Sequence, residues 1–103
     1  MYEDLIKRTN EVLEQPLPTT DVKTALSACI ELTAPILTAR VAAQITLANK
    51  RAQARHPKDK ELTDFDRTIM LEAMVSEYTA TYETLKGLEI LLGERLKVLS
   101  SLL

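Results

Sequence analysis

The sequence predicts an all-α protein: a long antiparallel helical hairpin, coiled-coil-like, preceded by a short N-terminal helix and assembled into an oligomer. The first observation behind this is a shortage of turn and strand formers. In 103 residues there are two glycines, four prolines, one phenylalanine, three tyrosines and no tryptophan, too few for a sheet protein with many tight turns. The second is that apolar side chains recur at steps of three and four over two long stretches, as a helical face requires. The third is length. At ~1.5 Å per residue, helices of about 35 and 38 residues would each span on the order of 50 Å. A compact domain of this size has a radius of gyration of only ~13 Å, so two such helices must fold back on one another. The chain, residues 1–103, has room for a single domain.

The first helix is expected over residues 1–15, with Leu5, Ile6, Thr9, Val12 and Leu13 on one side. Residues 16–20 form a linker, because Pro16 and Pro18 each remove an amide donor and hold the preceding residue extended. Thr19, Thr20 and Asp21 then offer capping oxygens to a long helix over residues 21–55, which ends before Pro57. Its apolar stripe reads Leu26, Ile30, Ala34, Leu37, Val41, Ile45, Ala48 and Ala52, and Pro35 inside it predicts a kink. Six alanines between Ala39 and Ala54 suit close approach of a neighbouring helix. Residues 56–63 read as a basic and polar loop. A third helix, over residues 64–101, starts where Thr63 and Asp66 form a capping-box-like pair with Asp64 close by. Its seam, Leu71, Val75, Tyr78, Tyr82, Leu85, Leu92, Leu96, Leu99 and Leu103, alternates steps of four and three in heptad fashion and is broken once at Glu89, beside Leu88.

Thirteen basic and fifteen acidic side chains leave a net charge of −2, which excludes a global pull toward nucleic acid or anionic membrane. The distribution is uneven: residues 40–60 carry six basic groups and one acidic. A single cysteine, Cys29, excludes an intrachain disulfide and fits a reducing cytoplasm. The first ten residues lack a secretory pattern, and no uncharged apolar run approaches the ~20 residues that span a bilayer, so a cytoplasmic protein without a membrane partner is expected. His56 is the only histidine and no Glu-x-x-His occurs, leaving no ligand set for a zinc or di-iron site. Neither Gly87 nor Gly93 lies in a glycine-rich phosphate loop. No catalytic residue is nominated, no cofactor or metal is expected, and the chain reads as a non-enzyme.

Two surfaces remain. A hairpin covers one stripe on each helix, and the third helix also carries Leu88, Leu91 and Leu102 off its seam. The expected homo-oligomer interface therefore runs along that helix through Leu71, Val75, Tyr78, Tyr82, Leu85, Leu88, Leu92, Leu96 and Leu99. The second surface is the basic cluster Lys50, Arg51, Arg55, Lys58 and Lys60, with His56 among them, at the hairpin tip. Phosphates could bind there with release of counterions, or the cations could simply offset the helix dipole. Tyr78 and Tyr82 could stack on unpaired bases, but their place on the seam favours core packing.

The order of these features resembles the small phage-encoded recombination mediators of the UvsY-like family. The likeness covers roughly residues 21–103 and lies in a long helix ending in ANKRAQARHPKDK, a polar connection, and the aliphatic helix MLEAMVSEYTATYETLKGLEILLGERLKVLSSLL. The resemblance implies an oligomer that binds single-stranded DNA through Lys50, Arg51, Arg55, Lys58 and Lys60 and helps load a recombinase onto DNA covered by a single-strand binding protein. The alternative is an interaction or assembly module without nucleic acid, such as a secretion chaperone, a virion assembly factor or an inhibitor of a host protein.

Overall fold

A computed structural model describes residues 2–54 and 64–103. Three α-helices account for the regular structure among the described residues: α1 (Glu3–Glu14), α2 (Val22–Ala54) and α3 (Asp64–Ser101). The 33 residues of α2 and the 38 of α3 pair along their lengths. The result is a rod of 65 × 19 × 19 Å with a radius of gyration of 18.6 Å, well above that of a compact domain of this size.

The two long helices meet through matched heptads. On α3, Val75, Leu85, Leu88, Leu92 and Leu99 are buried, with Tyr82 and Leu96 packed against the same core. On α2 the inward face is Val22, Ala25, Cys29, Leu32, Ile36, Ala39 and Ala43, in strict steps of three and four, continued by Leu47. A 3.5-residue average keeps such a face on its partner as the helices wind round each other. This corrects the stripe expected for α2. Leu26 does pack against the core, but Ile30, Ala34, Leu37, Val41, Ile45, Ala48 and Ala52 lie on the opposite side and are exposed. Their steps average more than 3.5, so they cannot stay against a heptad partner.

Glu89, the break in the α3 seam, fixes the register. Arg40 Nε donates to Glu89 Oε2 at 2.7 Å and Nη2 donates to Oε1 at 3.3 Å, while Nη1 donates to Gln44 Oε1 at 3.0 Å. This bidentate fork holds Arg40 in its charged form more firmly than usual, chiefly through the hydrogen bond to Glu89.

α2 runs unbroken through Pro35. The ring removes the donor for the Glu31 carbonyl; Glu31 and Pro35 both lie on the exposed side, where that carbonyl can face solvent. The helix begins after Asp21, whose φ of 56° lies in the left-handed region that short polar residues tolerate. The Asp21 carbonyl accepts the amides of Thr24 and Ala25. At the start of α3, Asp64 and Asp66 occupy the first turn, where carboxylates oppose the helix dipole; Thr63 and the loop 56–63 lie outside the described residues.

α1 closes one groove of the hairpin. Leu5, Ile6, Val12 and Leu13 pack against the core, and Thr9 is fully buried with its hydroxyl donating to the Leu5 carbonyl at 2.8 Å. No basic residue sits in the last turn of α1. Arg95 of α3 supplies that charge from across the bundle, donating to the carbonyls of Gln15 at 2.9 Å and Leu13 at 3.4 Å. Carbonyls at a helix end lack intrahelical donors and carry partial negative charge, so Arg95 both caps α1 and ties it to α3.

Candidate interaction surface

Because α2 uses one apolar face for the hairpin, its second apolar face is left uncovered. Ile30 is 56% exposed, Leu37 44%, Val41 40% and Ile45 56%, with Ala34, Ala48 and Ala52 exposed between and beyond them. This stripe repeats every eleven residues: Ile30, Val41 and Ala52 form one series, Ala34 and Ile45 a second, Leu37 and Ala48 a third. Eleven residues over three turns average about 3.67 per turn, close to a straight α-helix. Thr33, Thr38, Gln44 and Asn49 flank it. Between Leu32 and Asn49 the one charged side chain is Arg40, which is turned to Glu89. The two apolar faces together make Val22–Gln53 long and apolar enough to cross a membrane by length and composition alone.

The surface expected for oligomerisation is already occupied. Val75, Leu85, Leu88, Leu92 and Leu99 are at most 5% exposed, and Leu71, Tyr78, Tyr82 and Leu96 are half-buried. All nine lie on the hairpin side of α3, so the seam that looked free for a second copy is covered within the chain by α1 and α2. Leu88, expected off the seam, is part of the core; Leu91 and Leu102 are exposed. Phe65, Ile69, Met70 and Met74 are further exposed apolar residues near the start of α3.

Of the basic cluster, Lys50 and Arg51 are described, and both have partners inside the hairpin. Lys50 Nζ lies 5.4 Å from the centroid of the Tyr78 ring, within the range of a cation–π contact. Arg51 Nη2 stands 3.7 Å from Glu72 Oε2. Arg55, His56, Lys58 and Lys60 lie outside the described residues. The two tyrosines take up lysines: Lys86 Nζ is 5.8 Å from the Tyr82 ring.

No group of three or more His, Cys, Asp or Glu able to hold a metal occurs among the described residues, and Cys29 is fully buried in the hairpin core. A cavity of about 230 Å³ lies at the start of α1, with Tyr2, Glu3, Thr46, Glu77, Tyr78 and Thr81 among its lining residues. No family model, curated protein or solved structure matches the chain, so the outer face of α2 stands on its geometry.

Proposed function

We propose that this chain is a non-enzymatic helical accessory protein that assembles through the outer apolar face of α2. The observation that carries the reading is the uncovered stripe Ile30, Leu37, Val41 and Ile45, about half exposed along several turns and free of unpaired charge. Fully burying such a side chain contributes roughly 1.5 to 3 kcal/mol. Covering the exposed half of four on each of two copies is then worth about 6 to 12 kcal/mol, before an association cost of several kcal/mol or more. At most about 8 kcal/mol then remains, which places self-association at micromolar concentrations or weaker.

The recombination-mediator reading asks for cations at the hairpin tip that are free to meet phosphate. Lys50 on Tyr78 and Arg51 beside Glu72 give it no support, and the other three nominated cations lie outside the described residues. The face of α2 therefore favours assembly over nucleic-acid binding.

Light scattering at micromolar concentration tests the proposal. The wild-type mass should exceed the 11.5 kDa of one chain, and Val41→Glu, which sets a charge in the middle of the stripe, should return it to that value with helix content unchanged. A wild-type mass of one chain throughout the micromolar range would overturn the reading for a second copy as partner.

A further inference from the structure

We infer that two copies pair antiparallel through α2, about a two-fold axis that passes beside Val41; this rests on the outer face of α2 being the working surface. A two-fold interface must match its own patch when the direction is reversed, and the stripe does so. With Val41 opposite Val41, Leu37 of one copy meets Ile45 of the other, Ala34 meets Ala48, and Ile30 meets Ala52. Large side chains then face each other next to the axis, two alanines allow close approach one turn further out, and a large residue covers a small one at each end. A parallel in-register pair would instead place Ile30 on Ile30 and Ala48 on Ala48, crowding one end and leaving the other loose.

Charge allows the same arrangement. Arg40 is held by Glu89 and Gln44, so no unpaired charge lies near the axis. Glu31 and Arg51 sit twenty residues apart, one at each end of the stripe, so reversal keeps the two Glu31 side chains, and likewise the two Arg51, on the order of 30 Å apart. α1 packs against the hairpin core through Leu5, Ile6, Val12 and Leu13, and Ile30, Leu37, Val41 and Ile45 stay exposed. The contact, about 33 Å long on a helix about 10 Å wide, covers roughly 330 Å² per copy and belongs with weak, transient pairings. In the pair the two hairpin tips point in opposite directions, and each α3 lies on the outside.

Cysteine cross-linking reads the register. In a Cys29→Ala background, Val41→Cys should join two copies when diamide oxidises the paired thiols to a disulfide, each thiol losing one proton and one electron to the oxidant. Leu37→Cys and Ile45→Cys should each react about tenfold more slowly alone, yet cross-link rapidly when mixed, because effective concentration follows proximity. Fast self-linking at Leu37→Cys and Ile45→Cys alone would mean parallel pairing and overturn the inference while leaving an assembling face. Sedimentation of wild type against Val41→Glu needs no change at Cys29. A monomeric wild type that instead binds vesicles of phosphatidylcholine and phosphatidylglycerol, and loses them with Val41→Glu, overturns pairing in favour of lipid. If Val41→Glu alters neither mass nor vesicle binding, the pairing and the role of the face fail together.

Discussion

Two isoleucines nine residues apart on α2 separate the two faces cleanly. Ile36 is fully buried against α3, whereas Ile45 is 56% exposed on the other side. Removing the side chain of Ile36 leaves a hole in the hairpin core, and Ile36→Ala should cost about 2 to 5 kcal/mol. For Ile45→Ala less than half of the burial is at stake, so the loss is under ~1.5 kcal/mol. Alanine's better helix propensity offsets several tenths of that, leaving well under ~1 kcal/mol. Urea unfolding followed by circular dichroism, at a concentration low enough to keep the protein monomeric, measures both. With a slope of about 1 to 3 kcal/mol per M, Ile36→Ala should lower the midpoint by on the order of 1 to 2 M and Ile45→Ala by a few tenths. The residues share no neighbour on the inner face, so the double variant should show the sum. Equal shifts, or a larger one at Ile45, would refute the assignment of the inner heptad to α3. Under the proposed pairing, Ile45→Ala should weaken association at high concentration, whereas Ile36→Ala does not touch that surface.

The Arg40–Glu89 fork predicts rescue. Arg40→Glu sets two carboxylates against each other and should destabilise the hairpin, and adding Glu89→Arg should restore most of the loss in a double-mutant cycle. Arg40 is held charged above its ordinary range; a base whose affinity for its proton is raised by folding loses its contribution only as pH climbs through that high range. The contribution of Arg40 to stability should therefore stay constant between neutral and moderately alkaline pH. Arg95→Met should release α1, seen as faster amide exchange over residues 3–14 with little change in α2 and α3. A Cβ built on Gly87 or Gly93 meets nothing within 4 Å, and neither glycine has a positive φ. Gly87→Ala and Gly93→Ala should each stabilise by up to ~1 kcal/mol in thermal melts.

The helical class and the long hairpin were legible because the seam of α3 keeps one heptad period from Leu71 to Leu99, and its exposed apolar residues, such as Met70, Met74 and Leu91, do not interrupt that period. α2 carries two apolar faces with almost the same spacing, and the more aliphatic one, Ile30, Leu37, Val41 and Ile45, stands out over a row built largely of Ala25, Cys29, Ala39 and Ala43. Hydrophobicity picks the wrong row; period picks the right one. Val22 through Ala43 keeps the strict 3.5-residue average that α3 also keeps, whereas the aliphatic row repeats every eleven residues. Contacts that depend on register were illegible for a different reason. Lys50 on Tyr78 and Arg95 on the end of α1 join residues far apart in sequence, and no local pattern announces them.

One helix bearing two periods presents two apolar faces of different geometry. The heptad row bends with a left-handed winding and finds α3, which carries the matching repeat in the same chain. The eleven-residue row follows a nearly straight path or a slight right-handed one, so α3 cannot be its partner even if the hairpin slides in register. No described helix of this chain offers a complementary straight row; α1 is short and committed to the hairpin groove through Thr9, Leu13 and Arg95. Among the described residues the outer face of α2 is thus left uncovered, and the proposed pairing follows because the row matches itself when reversed.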